Sequence, residues 1–193
     1  EDKVWTEETK SLIGPTTKLR WSYAASKMID EFIALSLYEE KKVSPIIVRL
    51  FNIIGPNQLS KFGMVVPKFI EAAINDEDIL IHGDGSQSRS FTWVDDVVTY
   101  LIKLAELKAY GEIFNIGQTE EITIKELAEL IIEKSNSNSK IIYKSHEEVF
   151  GKSFEDPDRR TPGIEKIVEF TGIKPSKNIE FMVENIINYK QNN

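Results

Sequence analysis

The stretch Trp21–Pro56, WSYAASKMIDEFIALSLYEEKKVSPIIVRLFNIIGP, decides the fold. Ala25, Met28, Ile29, Phe32, Ile33 and Leu35 recur near a 3.6-residue period and predict a helix from Ser22 to about Lys41. Ser44-Pro45 ends that element. Ile46-Ile47-Val48-Arg49-Leu50-Phe51 then forms a short, β-branched, nearly continuous apolar run, the pattern of a buried strand. Asn52–Asn57 comes next as a loop. A helix feeding straight into a buried strand is the repeating unit of an α/β domain.

The same alternation continues outward. Val66–Ala73 predicts a helix, with Pro67 tolerated in its first turn. Ile79–His82 is a short strand stopped by Gly83-Asp84-Gly85, and Arg89–Trp93 is extended. Val94–Leu107 is an amphipathic helix whose first turn carries Asp95 and Asp96, where the helix dipole favours negative charge. Their placement marks a helix start rather than a catalytic pair. Glu112–Gly117 is a further strand. Thr123 with Glu126 three residues on is a capping-box pattern, opening a helix to about Lys134. Ile141–Tyr143 is a strand, 145–162 is polar and loop-like, and helices are expected near 163–171 and 178–189. Residues 1–20 are polar and irregular.

Bulk properties exclude several classes. The formal net charge of -7 argues against a nucleic-acid backbone binder, which would show a basic face. The absence of cysteine removes disulfides, thiolate metal ligands and cysteine nucleophiles, and fits a reducing cytoplasm. His82 and His146 stand far apart with no carboxylate at ligand spacing, so no metal site is expected. No apolar run approaches the ~20 residues needed to span a bilayer, and no signal peptide opens the chain. The expectation is a cytoplasmic protein with no membrane and no nucleic-acid partner.

Chemistry concentrates in Trp21–Lys27. Tyr23 and Lys27, four residues apart, share one face of the helix. A free phenol, with a pKa near ~10, is a poor base at neutral pH, and a neighbouring ammonium favours its ionised form. An isolated Tyr-x-x-x-Lys is most often two surface residues, so the pair gains meaning from the motifs downstream of it. Arg49-Leu50-Phe51-Asn52-Ile53-Ile54-Gly55-Pro56 comes about twenty residues later, and then Gly63-Met64-Val65-Val66-Pro67-Lys68-Phe69-Ile70. Gly83-Asp84-Gly85-Ser86-Gln87-Ser88-Arg89-Ser90-Phe91, Val94-Asp95-Asp96-Val97 and Phe114-Asn115-Ile116-Gly117 complete the series.

In that order and spacing the set resembles the extended short-chain dehydrogenase/reductase family of nucleotide-sugar epimerases, decarboxylases and dehydratases, over nearly the whole chain. The resemblance implies the C-terminal part of a Rossmann-type parallel sheet, residues 1–58 with the strand near 112–117 returning to it. A smaller mixed α/β substrate-binding domain would occupy 59–193. It implies NAD as cofactor, Tyr23 as proton-transferring base, Lys27 on the nicotinamide ribose, and Leu50 and Phe51 near the nicotinamide. It implies a nucleotide-sugar substrate held by Asn52, Val66, Phe69, Ile81, His82, Arg89 and Arg160. Guanidinium geometry suits the diphosphate at Arg89. Read on their own, Asn52 is equally a turn residue, Phe51, Val66 and Phe69 are core residues, and Arg159 competes with Arg160.

The family's dinucleotide fingerprint, G-x-x-G-x-x-G after a strand, fits none of the ten glycines. The chain opens at Glu1, a few residues after the family's Ser/Thr position. The NAD site is therefore expected to be incomplete in this chain, with weak or no NAD binding by these residues alone. Pairing with a missing N-terminal half, or a homodimer when full length, is the expected partner arrangement. An epimerase-like reaction is expected because no Arg precedes Val65-Val66. Asp156–Pro162 points instead to a UDP-glucuronate decarboxylase, and a catalytically silent sugar-nucleotide-binding module is the third alternative.

Overall fold

The structure, a computed structural model, describes residues 4–19, 21–62, 64–145 and 161–192. Its central ladder is parallel: β2 (Ile47–Leu50) lies beside β7 (Ile113–Ile116), with Val48 opposite Phe114 and Arg49 opposite Asn115. Helix α1 (Trp21–Glu39) precedes β2, as its apolar period predicts. Helices α3 (Val94–Glu106) and α5 (Glu165–Thr171) cover one side of the ladder. Their Val97, Tyr100, Leu104 and Ile167 form a core with Phe114 and Ile116. The Tyr100 hydroxyl donates to the Ile173 carbonyl at 3.1 Å, so this buried phenol is satisfied.

A second, larger core joins α2 (Val65–Ile74), α4 (Ile124–Ser135) and α6 (Ile179–Gln191) to β4 (Ile79–His82). Ile70, Ile79, Ile81, Leu127, Ile131 and Ile186 are among its fully buried side chains. β4 pairs in parallel with β9 (Ile141–Lys144), and β5 (Ser88–Ser90) pairs antiparallel with β8 (Glu121–Thr123). The capping box forms: Thr123 Oγ1 accepts from the Glu126 amide at 3.1 Å, and the Glu126 carboxylate accepts from the Thr123 amide at 3.0 Å. The helix closes on Asn136 in the left-handed region, which Asn tolerates better than most residues.

Two expectations change. Residues 1–20 and the loop after β2 contain two-residue strands: β1 (Val4–Trp5) pairs with β10 (Thr161–Pro162), and β3 (Ile53–Ile54) with β6 (Thr92–Trp93), both parallel. Two residues are too few to display a period, and each strand is made by its partner. The second change concerns burial. The apolar run at β2 reads as a strand covered on both faces, yet none of its residues is fully buried and Leu50 is 48% exposed. Helix α1 buries none of its residues, and Phe32 is 65% exposed. Among the described residues, β2 has one neighbouring strand, which leaves its other edge and much of α1 without cover.

Candidate active site

Tyr23 and Lys27 line one wall of a groove of about 550 Å³. Asp30, Glu31 and Ala34 extend that wall along α1, and Ile46 with Ile47–Leu50 of β2 form the opposite wall. The helical repeat accounts for the first wall: positions four and seven or eight residues apart fall on one face. Tyr23 is 71% exposed, so its phenol is open to a ligand. The Lys27 ammonium donates to Asp30 Oδ2 at 2.8 Å. That hydrogen bond and charge hold Lys27 above the ordinary lysine value, with Tyr23 a smaller contributor in the same direction. The Tyr-x-x-x-Lys motif does not single out Asp30. Its opposite charge three residues beyond Lys27 is the signal in the sequence that points to it.

The strand wall is held to the rest of the chain by polar contacts. Arg49 donates through Nε and Nη2 to the two carboxylate oxygens of Glu31, at 2.8 and 2.7 Å, and through Nη1 to the Glu7 carbonyl at 3.0 Å. Asn115 beside it is buried. Its amide nitrogen donates to Glu7 Oε1 at 2.7 Å, and its side-chain Nδ2 donates to the Trp5 and Gly163 carbonyls at 2.8 and 3.2 Å. The motifs contain both residues without giving either a role. Only their cross-chain partners reveal one.

Leu50 lines the groove, and Phe51 directly after it ties the strand to its neighbours. The Phe51 amide donates to the Ile116 carbonyl at 3.0 Å, and its carbonyl accepts from Thr92 Oγ1 at 2.9 Å. Asn52 adopts φ 38°, a left-handed turn, and its Nδ2 donates to the Ser90 carbonyl at 2.9 Å. This clip ties the end of β2 to β5, the strand that carries Arg89. Arg89 is nearly buried, with Nη1 donating to the Ser88 carbonyl at 2.6 Å.

The other candidate residues are distributed differently. Val66, Phe69 and Ile81 are buried in the larger core, where their side chains support α2 and β4. Phe69 also lines a cleft of about 340 Å³ with Lys61, Lys68, Glu71 and Asp78. His82 is half-buried, and its carbonyl accepts from Gln87 Nε2 at 3.0 Å. The groove of Tyr23 and Lys27 does not include Asn52, His82 or Arg89 in its lining. Arg160, Arg159 and His146 lie outside the described residues. Among the described residues no cluster of three or more His, Asp or Glu could hold a metal ion. No described helix is long and apolar enough to cross a membrane.

Residues 2–117 match the NAD dependent epimerase/dehydratase family. The chain is 38% identical over 173 residues to a UDP-N-acetyl-alpha-D-glucosaminuronate decarboxylase of Bacillus cytotoxicus, covering 89% of this chain and 54% of that protein. It superposes at TM-score 0.84 and 23% identity on a dTDP-glucose 4,6-dehydratase from Bacillus anthracis in complex with NAD, covering all of this chain and 57% of that one. A UDP-N-acetylglucosamine 4-epimerase from Methanobrevibacter ruminantium, in complex with UDP-N-acetylmuramic acid, matches at TM-score 0.77 and 28% identity, covering 88% of this chain and 53% of that one. The chain thus spans about half the length of each of these proteins. The family match over residues 2–117 covers more than half of the sequence, and the chain belongs to the NAD dependent epimerase/dehydratase family.

Proposed function

We propose that this chain provides the proton-transferring pair and the sugar-nucleotide lobe of an enzyme that oxidises C4 of a UDP-linked sugar, and that its substrate is a uronate which then loses CO2. The observation that carries the reading is the groove that Tyr23 and Lys27 share with Ile46–Leu50. The residues there fit the nicotinamide end of NAD. Lys27 offers ammonium donors suited to ribose hydroxyls, and the 48%-exposed Leu50 offers an apolar surface to a flat ring. Bound NAD would supply the hydride acceptor and, later, the donor.

The chain's own residues do the rest. Tyr23 removes the proton of the C4 hydroxyl as hydride leaves that carbon. The resulting C4 ketone lies β to a C6 carboxylate. The C5–C6 bond can then break with release of CO2, its electron pair passing into the ketone as an enolate that is reprotonated at C5. Arg89, beside the Ser90 carbonyl on which the Asn52 clip ends, is the guanidinium proposed to hold the diphosphate. Asn52 acts through this clip, since its Nδ2 is engaged by Ser90.

The decarboxylase reading is favoured over the epimerase-like one by the 38% identity to a uronate decarboxylase. The test is a product assay on the full-length protein carrying these residues, with NAD and, in parallel, UDP-glucuronate, UDP-N-acetylglucosaminuronate and UDP-glucose. Release of CO2 from a uronate, lost in Tyr23→Phe, is expected. A 4-epimer of UDP-glucose without CO2 release restores the epimerase reading, and binding without turnover of any of the three identifies a binding module.

A further inference from the structure

Helix α1 carries the reactive pair, and within the described residues of this chain none of its residues is fully buried. Near its start, Trp21 lies over Gly14, where an added Cβ would collide with the indole. Near its end, Tyr38 lies over Gly111 in the same way. Between them stands a two-pronged ion pair, Arg49 to Glu31, with both side chains about three-quarters covered. Glu31 sits one turn beyond Lys27 and two turns beyond Tyr23 on the groove face of the helix.

We infer that Arg49 is the positioning residue that sets the register of α1 on β2, and through Glu31 the placement of Tyr23 and Lys27 over the groove. Two parallel N–H···O bonds between a planar guanidinium and a planar carboxylate fix rotation and translation of the helix together. A lysine would supply the charge without the fork. The third prong, Nη1 to the Glu7 carbonyl, anchors Arg49 itself to the N-terminal segment. Glu7 in turn accepts the Asn115 backbone amide at 2.7 Å through its carboxylate, so Glu7 links β7 to the guanidinium that holds α1. The Asp30–Lys27 pair lies within α1 itself, so it cannot set the register across the groove.

The inference rests on the catalytic reading of Tyr23 and Lys27, and its test separates the two. The intact protein is prepared as Arg49→Lys, Glu31→Gln and the double variant, with thermal unfolding to verify folding of each. Misplacement of a reacting group by about 1 Å costs on the order of 100-fold in rate. Each single variant is therefore expected to lose about 10- to 100-fold in kcat, with KM for the nucleotide sugar changed by less than about two-fold. The double variant should lose no more than the worse single one, because the pair acts as a unit. Hydrogen exchange should quicken across residues 21–39 and stay unchanged in residues 124–135. Full activity in Arg49→Lys, a loss in KM alone, or additive losses in the double variant overturns the inference. If the full-length protein carrying these residues, loaded with NAD, turns over no nucleotide sugar, the catalytic reading has failed. Exchange across 21–39 then decides the helix-positioning role by itself, and unchanged exchange there refutes it.

Discussion

Replacing Gly117 by alanine probes how the β1–β10 pair is locked against the central ladder. Gly117 comes directly after β7, and a Cβ there would stand 2.4 Å from Pro162 Cγ and 3.2 Å from both Pro162 Cβ and Phe51 Cβ. Ordinary contact starts at 3.4 Å, so the Pro162 ring must retreat by about 1 Å. A pyrrolidine ring cannot swing aside like a flexible side chain. Its movement carries β10 with it, and β10 is paired to β1 through Trp5 opposite Pro162 and the 2.8 Å bond from the Gly163 amide to the Trp5 carbonyl. Gly117 is not among the glycines with a left-handed backbone, so the cost is steric alone. Overpacking of this kind costs about 1–3 kcal/mol, while Gly→Ala stiffens the unfolded chain and returns about 0.4–1 kcal/mol. A net destabilisation of about 1–2 kcal/mol is expected from urea unfolding. Exchange of the Gly163 amide should quicken, while the amides of α4 stay as they were. Equal or greater stability with unchanged Gly163 exchange would refute the reasoning, because the Pro162 ring would then be free to yield.

Two further outcomes concern single groups. Burial, with the Asp96 charge second, pushes the Tyr100 phenol from 10.0 up to about 12. The folded protein therefore keeps a proton that the unfolded chain releases, and the stability this contributes is present below pH 10 and lost as pH rises toward 12. Urea midpoints should fall across that window, and Tyr100→Phe should flatten the fall. Thr123→Ala removes the two bonds made by Thr123 Oγ1, leaves the bond from the Thr123 amide to the Glu126 carboxylate, and should cost about 1 kcal/mol by the same unfolding assay. Hydrogen bonds from Thr123 hold the Glu126 carboxyl below its usual value, so its contribution is present above the usual carboxylate range and lost as pH falls through the lowered value. The alanine variant should show a smaller acid loss than the parent.

The local elements were legible in the amino-acid order because each satisfies its own period or cap. The 3.6-residue spacing in Trp21–Glu39, the β-branched run at Ile47–Leu50 and the Thr123–Glu126 box need only neighbours in sequence. The family was legible for a related reason: its motifs keep their order and spacing whatever packs around them. Burial was not legible. The same apolar run that fits a strand covered on both faces leaves Leu50 48% exposed, because cover is supplied by other strands and helices rather than by the strand itself. The two-residue strands at Val4–Trp5 and Thr161–Pro162 have no period to read, and they exist because the chain brings them together. The sequence alone determined that Tyr23 and Lys27 share a helix face. Tertiary structure decided that Arg49, on a different element, grips that helix through Glu31, since a two-pronged bond depends on distances that spacing along a chain does not encode.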